Sequence, residues 1–194
     1  MNLPNALTVG RIFLVPLLVV VLLTKFEGRL IFGVRKELIG AAIFGLGSLT
    51  DVLDGYLARR RKQITTLGQL MDPLADKLLI TAALVSLVQM DLAPAWMVAV
   101  ILGREFAVTV LRSIAHARGM VIPASPLGKI KMASEVVAIL LLILVGSGVG
   151  AVREPPLREF FVIGTIALWI AMVTATISGV DYYRRASREL GFRL

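Results

Sequence analysis

Residues 38–58 read LIGAAIFGLGSLTDVLDGYLA, and the next four are Arg59, Arg60, Arg61 and Lys62. No charge occurs from Leu38 to Thr50. The run has the length that an α-helix needs to cross a bilayer core of roughly 30 Å. It ends in a block of cations, as spans do where they meet the cytoplasm. Two aspartates, Asp51 and Asp54, stand near that basic end where apolar residues belong.

Working outward, five further apolar blocks of comparable length occur at about 6–24, 73–90, 94–115, 130–148 and 160–181. Hydrophobic residues make up 57% of the 194, and the mean hydropathy is +0.84. A soluble domain is nearer roughly 45–50% apolar. No linker, low-complexity stretch or internal repeat separates the blocks. The pattern predicts an all-α fold, an integral membrane bundle of six transmembrane helices in one domain over 1–194.

Orientation follows from the basic residues. With the N-terminus inside, the inner segments carry Arg59, Arg60, Arg61, Lys62, Arg112, Arg118, Lys129, Lys131, Arg184, Arg185, Arg188 and Arg193. The outer segments carry Lys25, Arg29, Arg35, Lys36, Arg153 and Arg158. Twelve against six predicts both termini in the cytoplasm. The opening Met1-Asn2-Leu3-Pro4-Asn5 has no basic residue before Arg11 and no small-residue cleavage pattern after the apolar run, so 6–24 reads as a retained helix. Tyr182-Tyr183-Arg184-Arg185 reads as an interfacial anchor.

The net charge is +8. In a soluble protein this would suggest nucleic acid. In a membrane protein it reflects cytoplasmic Lys/Arg and anionic headgroups. No RNA-binding fingerprint is present, so no nucleic-acid partner is expected. The chain has no cysteine and a single histidine, His116. Disulfides, thiolate sites and multi-histidine sites are thereby excluded. Any bound metal must be held by carboxylate oxygens, which suit hard cations such as Mg²⁺, Mn²⁺ or Ca²⁺.

Asp51 and Asp54 have counterparts in Asp72 and Asp76, at the start of the next span. A single aspartate at a span end is usually a cap or an interfacial residue. Four in this spacing, inside apolar sequence, point to a polar cavity and a function. In a helix, Asp51, Asp54, Gly55 and Ala58 fall within an arc of about 100°. Gly68, Asp72, Ala75 and Asp76 form a similar face if that stretch is helical. Asp72-Pro73 suits a helix start, with Asp72 as N-cap and Pro73 at the first helical position. The basic turn between the spans makes them an antiparallel pair, so the two faces can meet. Four close carboxylates in a low dielectric do not all stay ionised unaided. Two divalent cations resolve that conflict, and a two-metal centre is a known device for in-line phosphoryl transfer.

From Asp51 to Asp76 the residues follow D-x2-D-G-x2-A-R-x8-G-x3-D-x3-D. This resembles the signature of the CDP-alcohol phosphotransferase family, with all eight fixed positions present. The resemblance implies transfer of a phosphoalkyl group from a CDP-linked donor to an alcohol, with release of CMP and the help of two divalent cations, Mg²⁺ or Mn²⁺. It implies Asp51, Asp54 and Asp72 as metal ligands. Asp76 would complete the metal site and act as general base. Asp51, Gly55, Ala58, Arg59 and Gly68 would form the CDP site. A homodimer is also implied.

The resemblance extends to the phosphatidylglycerophosphate-forming branch of the family. It is carried by Asn2-Leu3-Pro4-Asn5-Ala6-Leu7-Thr8 with Arg11, by Gly103-Arg104-Glu105-Phe106 with Arg112, and by Gly128-Lys129-Ile130-Lys131. Residues 146–159 match nothing of use, and Met132 stands where many relatives have threonine. That branch uses CDP-diacylglycerol and sn-glycerol 3-phosphate, so a cationic pocket for the acceptor phosphate is expected. Arg104, Arg112, Lys129 and Lys131 are the candidates, because guanidinium suits bidentate phosphate recognition and an intramembrane cation needs a partner. The competing role for Arg104 is an ion pair with Glu105 or Glu135. For Lys129 and Lys131 it is headgroup contact. Expected surroundings are membrane lipids of the cell's inner membrane, with the active site facing the cytoplasm. Two other readings stay open. One keeps the metal site and changes the acceptor to phosphatidylglycerol, inositol phosphate or serine. The other is an ion-binding transporter, against which stand the aspartates' place near one membrane face and the lack of an inverted repeat.

Overall fold

A computed structural model describes residues 3–24, 30–31, 34–61, 66–118, 126–146 and 156–190. Six helices account for nearly all of them. They are α1 (Leu3–Leu23), α2 (Lys36–Arg61), α3 (Thr66–Gln89), α4 (Ala95–Ala117), α5 (Pro126–Val145) and α6 (Leu157–Leu190). Each covers one of the six predicted apolar blocks. A two-residue antiparallel pair, β1 (Leu30–Ile31) with β2 (Val34–Arg35), lies between α1 and α2. Nothing in the hydropathy pattern announced it.

Helix α1 packs on α2 and α3, α5 on α2 and α6, and α4 on α6. The core is made by Leu18 and Leu22 of α1, Phe44 of α2, Leu79, Leu84 and Leu87 of α3, Ile101 of α4, Ile139, Leu142 and Ile143 of α5, and Leu168 of α6. Glycine sets two close approaches. A Cβ at Gly40 would sit 2.6 Å from Leu22 Cδ2, and one at Gly47 would sit 2.5 Å from Leu79 Cδ2. Both glycines let helices of this chain approach closely.

Much of the outer surface is apolar. Phe13, Leu46, Val85, Phe106, Val110, Ile166, Trp169 and Ile177 all face outward. A water-soluble monomer rarely exposes apolar area on this scale. Among the described residues, one helix, Leu157–Arg188, is long and apolar enough by length and composition to cross a membrane, and only 22% of its apolar window is buried inside the protein.

Two helix ends differ from expectation. α3 starts at Thr66, upstream of Pro73, so Asp72 lies inside the helix and is not its N-cap. A proline lacks one N–H, but helices in apolar surroundings accommodate it because leaving the helix would free more backbone groups. α1 likewise runs through Pro16. At its other end, α6 continues to Leu190, and a separate small cluster of Val108, Ala115, Tyr182 and Ala186 ties this extension to α4.

The α3–α4 turn is built tightly. Leu92 N donates to Leu87 O at 2.9 Å and Asp91 N to Val88 O at 3.1 Å. This is the Schellman closure, with Asp91 at the left-handed position (φ 58°) that glycine usually takes. Leu87 and Leu92 bury the accompanying apolar contact, and Pro94 follows. Asp91→Gly should therefore stabilise the protein by roughly 0.5–1 kcal/mol, the left-handed penalty less glycine's larger unfolded entropy. A thermal scan in detergent should show the unfolding midpoint rising by about 1–3 °C. A fall would mean that the Asp91 side chain does something the backbone does not require.

At the same end of the bundle, Lys36 Nζ donates to Leu22 O at 3.1 Å and Thr24 O at 3.2 Å, closing the end of α1. Glu37 is buried beside Gly146, whose φ of 77° and 2.6 Å clearance to Glu37 Cγ leave no room for a side chain.

Candidate active site

α2 and α3 are in contact and are joined by four residues, so they run antiparallel. Helix register puts Asp51, Asp54, Gly55 and Ala58 on one face of α2. Because α3 is helical from Thr66, Gly68, Asp72, Ala75 and Asp76 also share one face. Residues 62–65 of the connecting turn lie outside the described residues, as do the side chains of 51–61 and 66–76. Asp51, Asp54, Asp72 and Asp76, with Gly55, Ala58, Arg59 and Gly68, are thus placed by register alone. The all-oxygen donor set on two touching helices suits hard divalent cations. Among the described residues, no other group of three or more His, Asp or Glu could hold a metal ion.

A second polar site begins one residue later. Lys77 of α3 donates from Nζ to Thr109 Oγ1 of α4, and Thr109 Oγ1 donates to the Glu105 carbonyl at 2.7 Å. Glu105 Oε1 accepts from Arg104 Nη1 at 2.6 Å and from Lys131 Nζ of α5 at 2.7 Å. Lys131 Nζ also donates to Glu135 Oε2, four residues on along α5. Arg104 Nη2 donates to Ser178 Oγ of α6 at 2.6 Å. Four helices therefore meet at one ion network. Lys131, Glu135 and Ser178 are buried, and Arg104 is mostly so.

Among the described residues the network holds three cations (Lys77, Arg104, Lys131) and two carboxylates (Glu105, Glu135), and its hydrogen bonds are incomplete. Arg104 Nε and Glu135 Oε1 are buried without a hydrogen-bond partner. A buried donor left unmade costs about 1–3 kcal/mol. The surplus positive charge and the unmade guanidinium donor together fit an anion with oxygen acceptors.

The four cations read as a phosphate pocket divide. Arg104 and Lys131 meet at Glu105. Arg112 is exposed, with its guanidinium 5.9 Å from the centre of the Tyr182 ring, and its charge reaches Lys77 of the network. Eight residues of helix separate it from Arg104 by about 12 Å along the axis. Lys129 is also apart, because two helical positions turn it about 200° from Lys131. It lies instead at a cavity of about 560 Å³ between α1, α2, α3 and α5, whose polar members include the buried Arg11. Most of the remaining lining is apolar, including Leu49, Leu79, Val136, Val137 and Leu140. Of the two partners expected for Arg104, Glu105 is the one it meets, and Glu135 pairs with Lys131, which in turn reaches Glu105. Asp181 pairs with Arg185 at 2.8 Å.

A family model described as CDP-alcohol phosphatidyltransferase matches residues 1–177. The chain belongs to that family. It is 43% identical over 189 residues to the CDP-diacylglycerol–glycerol-3-phosphate 3-phosphatidyltransferase of Bacillus subtilis, covering 95% of this chain and 94% of the relative. It is 35% identical over 187 residues to the protein of that name from Rickettsia felis, covering 96% of each. For the Rickettsia prowazekii protein of the same name the identity is 36% over 183 residues, 94% of each chain. For a CDP-alcohol phosphatidyltransferase, the additions made by the structure are Lys77, Ser178 and the burial of Arg11, while the ion pair of Arg104 with Glu105 is the competing role expected from sequence. The adjacency of Glu105 to Arg104 was a usable signal. Ser178 gave none, since a lone serine in an apolar helix usually bonds back to its own backbone.

Proposed function

We propose that this family member transfers the phosphatidyl group of CDP-diacylglycerol to sn-glycerol 3-phosphate, giving phosphatidylglycerophosphate and CMP. The observation that carries the acceptor is the cluster of three cations, Lys77, Arg104 and the buried Lys131, the first of which directly follows Asp76 in sequence. The names of relatives that span nearly the whole chain support the same acceptor.

Asp76 takes the proton of the acceptor hydroxyl. The hydroxyl oxygen then bonds to the phosphorus that carries the diacylglyceryl group, and the bond from that phosphorus to the CMP oxygen breaks. Two divalent cations, Mg²⁺ or Mn²⁺, held by Asp51, Asp54, Asp72 and Asp76, would supply charge neutralisation at the pyrophosphate. Gly55, Ala58 and Gly68 leave room for the CDP group, with Asp51 and Arg59 beside it. Arg104 and Lys131 hold the acceptor phosphate. Arg112 stands farther out along α4. The cavity flanked by Lys129 and Arg11 suits acyl chains, with the two cations at their charged end.

The same reading places all six helices across the cell's inner membrane, with both termini and the active site on the cytoplasmic side. The apolar outer surface and the asymmetry of basic residues support it. A homodimer belongs to this reading through the family resemblance.

Purified protein in detergent, supplied with CDP-diacylglycerol and Mg²⁺ or Mn²⁺, should release CMP with sn-glycerol 3-phosphate, and EDTA should stop it. Release only with phosphatidylglycerol or inositol phosphate would keep the family chemistry and discard this acceptor. Ion flux without CMP release would favour a transporter.

A further inference from the structure

We propose that Ser178 and Gly179 of α6 form a slot that fixes the Arg104 guanidinium and thereby sets the enzyme's affinity for its anionic acceptor. This rests on the reading of Arg104 as an acceptor ligand. Both residues lie just past the stretch that the family model matches, residues 1–177.

Two observations on neighbouring residues support the slot. Ser178 is buried, and its Oγ accepts from Arg104 Nη2 at 2.6 Å while donating to the Ala175 carbonyl at 3.2 Å. The hydroxyl is therefore oriented by its own helix, with its acceptor side turned to the guanidinium. At Gly179, an added Cβ would lie 2.8 Å from Arg104 Cγ. The stem of the arginine thus runs over the glycine and its head rests on the serine. Arg104 has several rotatable bonds, and a charged side chain left unheld loses the geometry that phosphate recognition needs. Glu105 holds Nη1 from α4 and Ser178 holds Nη2 from α6. Those two contacts leave Nε as the unmade donor. The slot determines where that donor points.

Ser178 is a positioning residue, since it acts through Arg104. The test is a steady-state comparison of Ser178→Ala, Ser178→Thr, Gly179→Ala and Arg104→Gln against the parent, with each KM measured at saturating co-substrate. Ser178→Ala should raise the KM for glycerol 3-phosphate roughly five- to tenfold, less than the full loss of a charge-assisted hydrogen bond, because Glu105 still holds the guanidinium. The KM for CDP-diacylglycerol should stay within about twofold. Ser178→Thr keeps the hydroxyl and should restore most of the acceptor affinity. Gly179→Ala keeps the hydroxyl and displaces the arginine stem, so it should raise the acceptor KM as well. If Arg104→Gln raises the acceptor KM and neither α6 variant does, the slot is wrong and the acceptor site stands. If both substrates' KM values rise together in Ser178→Ala, the serine is merely structural and the proposal falls. If Arg104→Gln leaves the acceptor KM unchanged, the reading of Arg104 fails, and the slot fails with it.

Discussion

Asp76→Asn should reduce kcat by roughly 10²–10⁴-fold, the usual contribution of a positioned general base. Asparagine is nearly isosteric and its amide cannot accept the acceptor's proton. The substitution also removes a negative charge from the four-aspartate set, which weakens metal affinity. The two effects separate when rate is measured against Mn²⁺ concentration. If Asp76 is the base, kcat at saturating metal stays low. If it serves only as a ligand, excess metal restores turnover. Activity within tenfold of the parent at ordinary metal concentration would remove Asp76 from the chemistry altogether. The same change at Asp51, Asp54 or Asp72 should be corrected more fully by excess metal.

Arg104→Gln should raise the KM for glycerol 3-phosphate by about 10–100-fold, equivalent to the roughly 1.5–3 kcal/mol that a hydrogen bond to a charged group contributes. The donor KM should change far less, because Arg104 itself is held by Glu105 of α4 and Ser178 of α6 and belongs to neither aspartate face. Arg104→Lys should be nearly as damaging. An ammonium offers one donor centre, and Arg104 serves Glu105 and Ser178 from two separate nitrogens. Removing the arginine also leaves Glu105 with Lys131 alone, so the unfolding midpoint of each variant must be recorded beside its kinetics. An acceptor KM that does not move in a folded variant would sink the assignment.

The six helices were legible because each apolar block is long and bounded by charge or by turn residues. Pro73 misled at α3, where proline was read as a start and the helix runs through it from Thr66. The tail of α6 was missed for a different reason. Arg184, Arg185 and Arg188 face outward, and the inward residues Tyr182 and Ala186 are too few to register as a hydrophobic period. The aspartate faces could be read from spacing alone, since a helix fixes which positions align. The ion network was only half legible. Arg104 and Lys131 come from different helices, and only packing brings them together. That Lys129 and Lys131 face opposite ways was readable in their spacing of two. Ser178 and Gly179 carried no signal, because their role exists only where α6 crosses α4.

The cavity beside Arg11 and Lys129 opens toward the flank of the bundle, where Leu49, Met132 and Val137 are exposed. A donor that enters there arrives from the surrounding lipid and never crosses water. Its effective concentration is then a mole fraction of the bilayer or micelle. Adding inert detergent at constant total donor thins the donor around each enzyme and slows turnover, even though the bulk molarity is unchanged. The acceptor, which dissolves in water, obeys ordinary molar kinetics. The enzyme thus answers to two different solvents at once, and a rate law written in one unit of concentration describes only half of it.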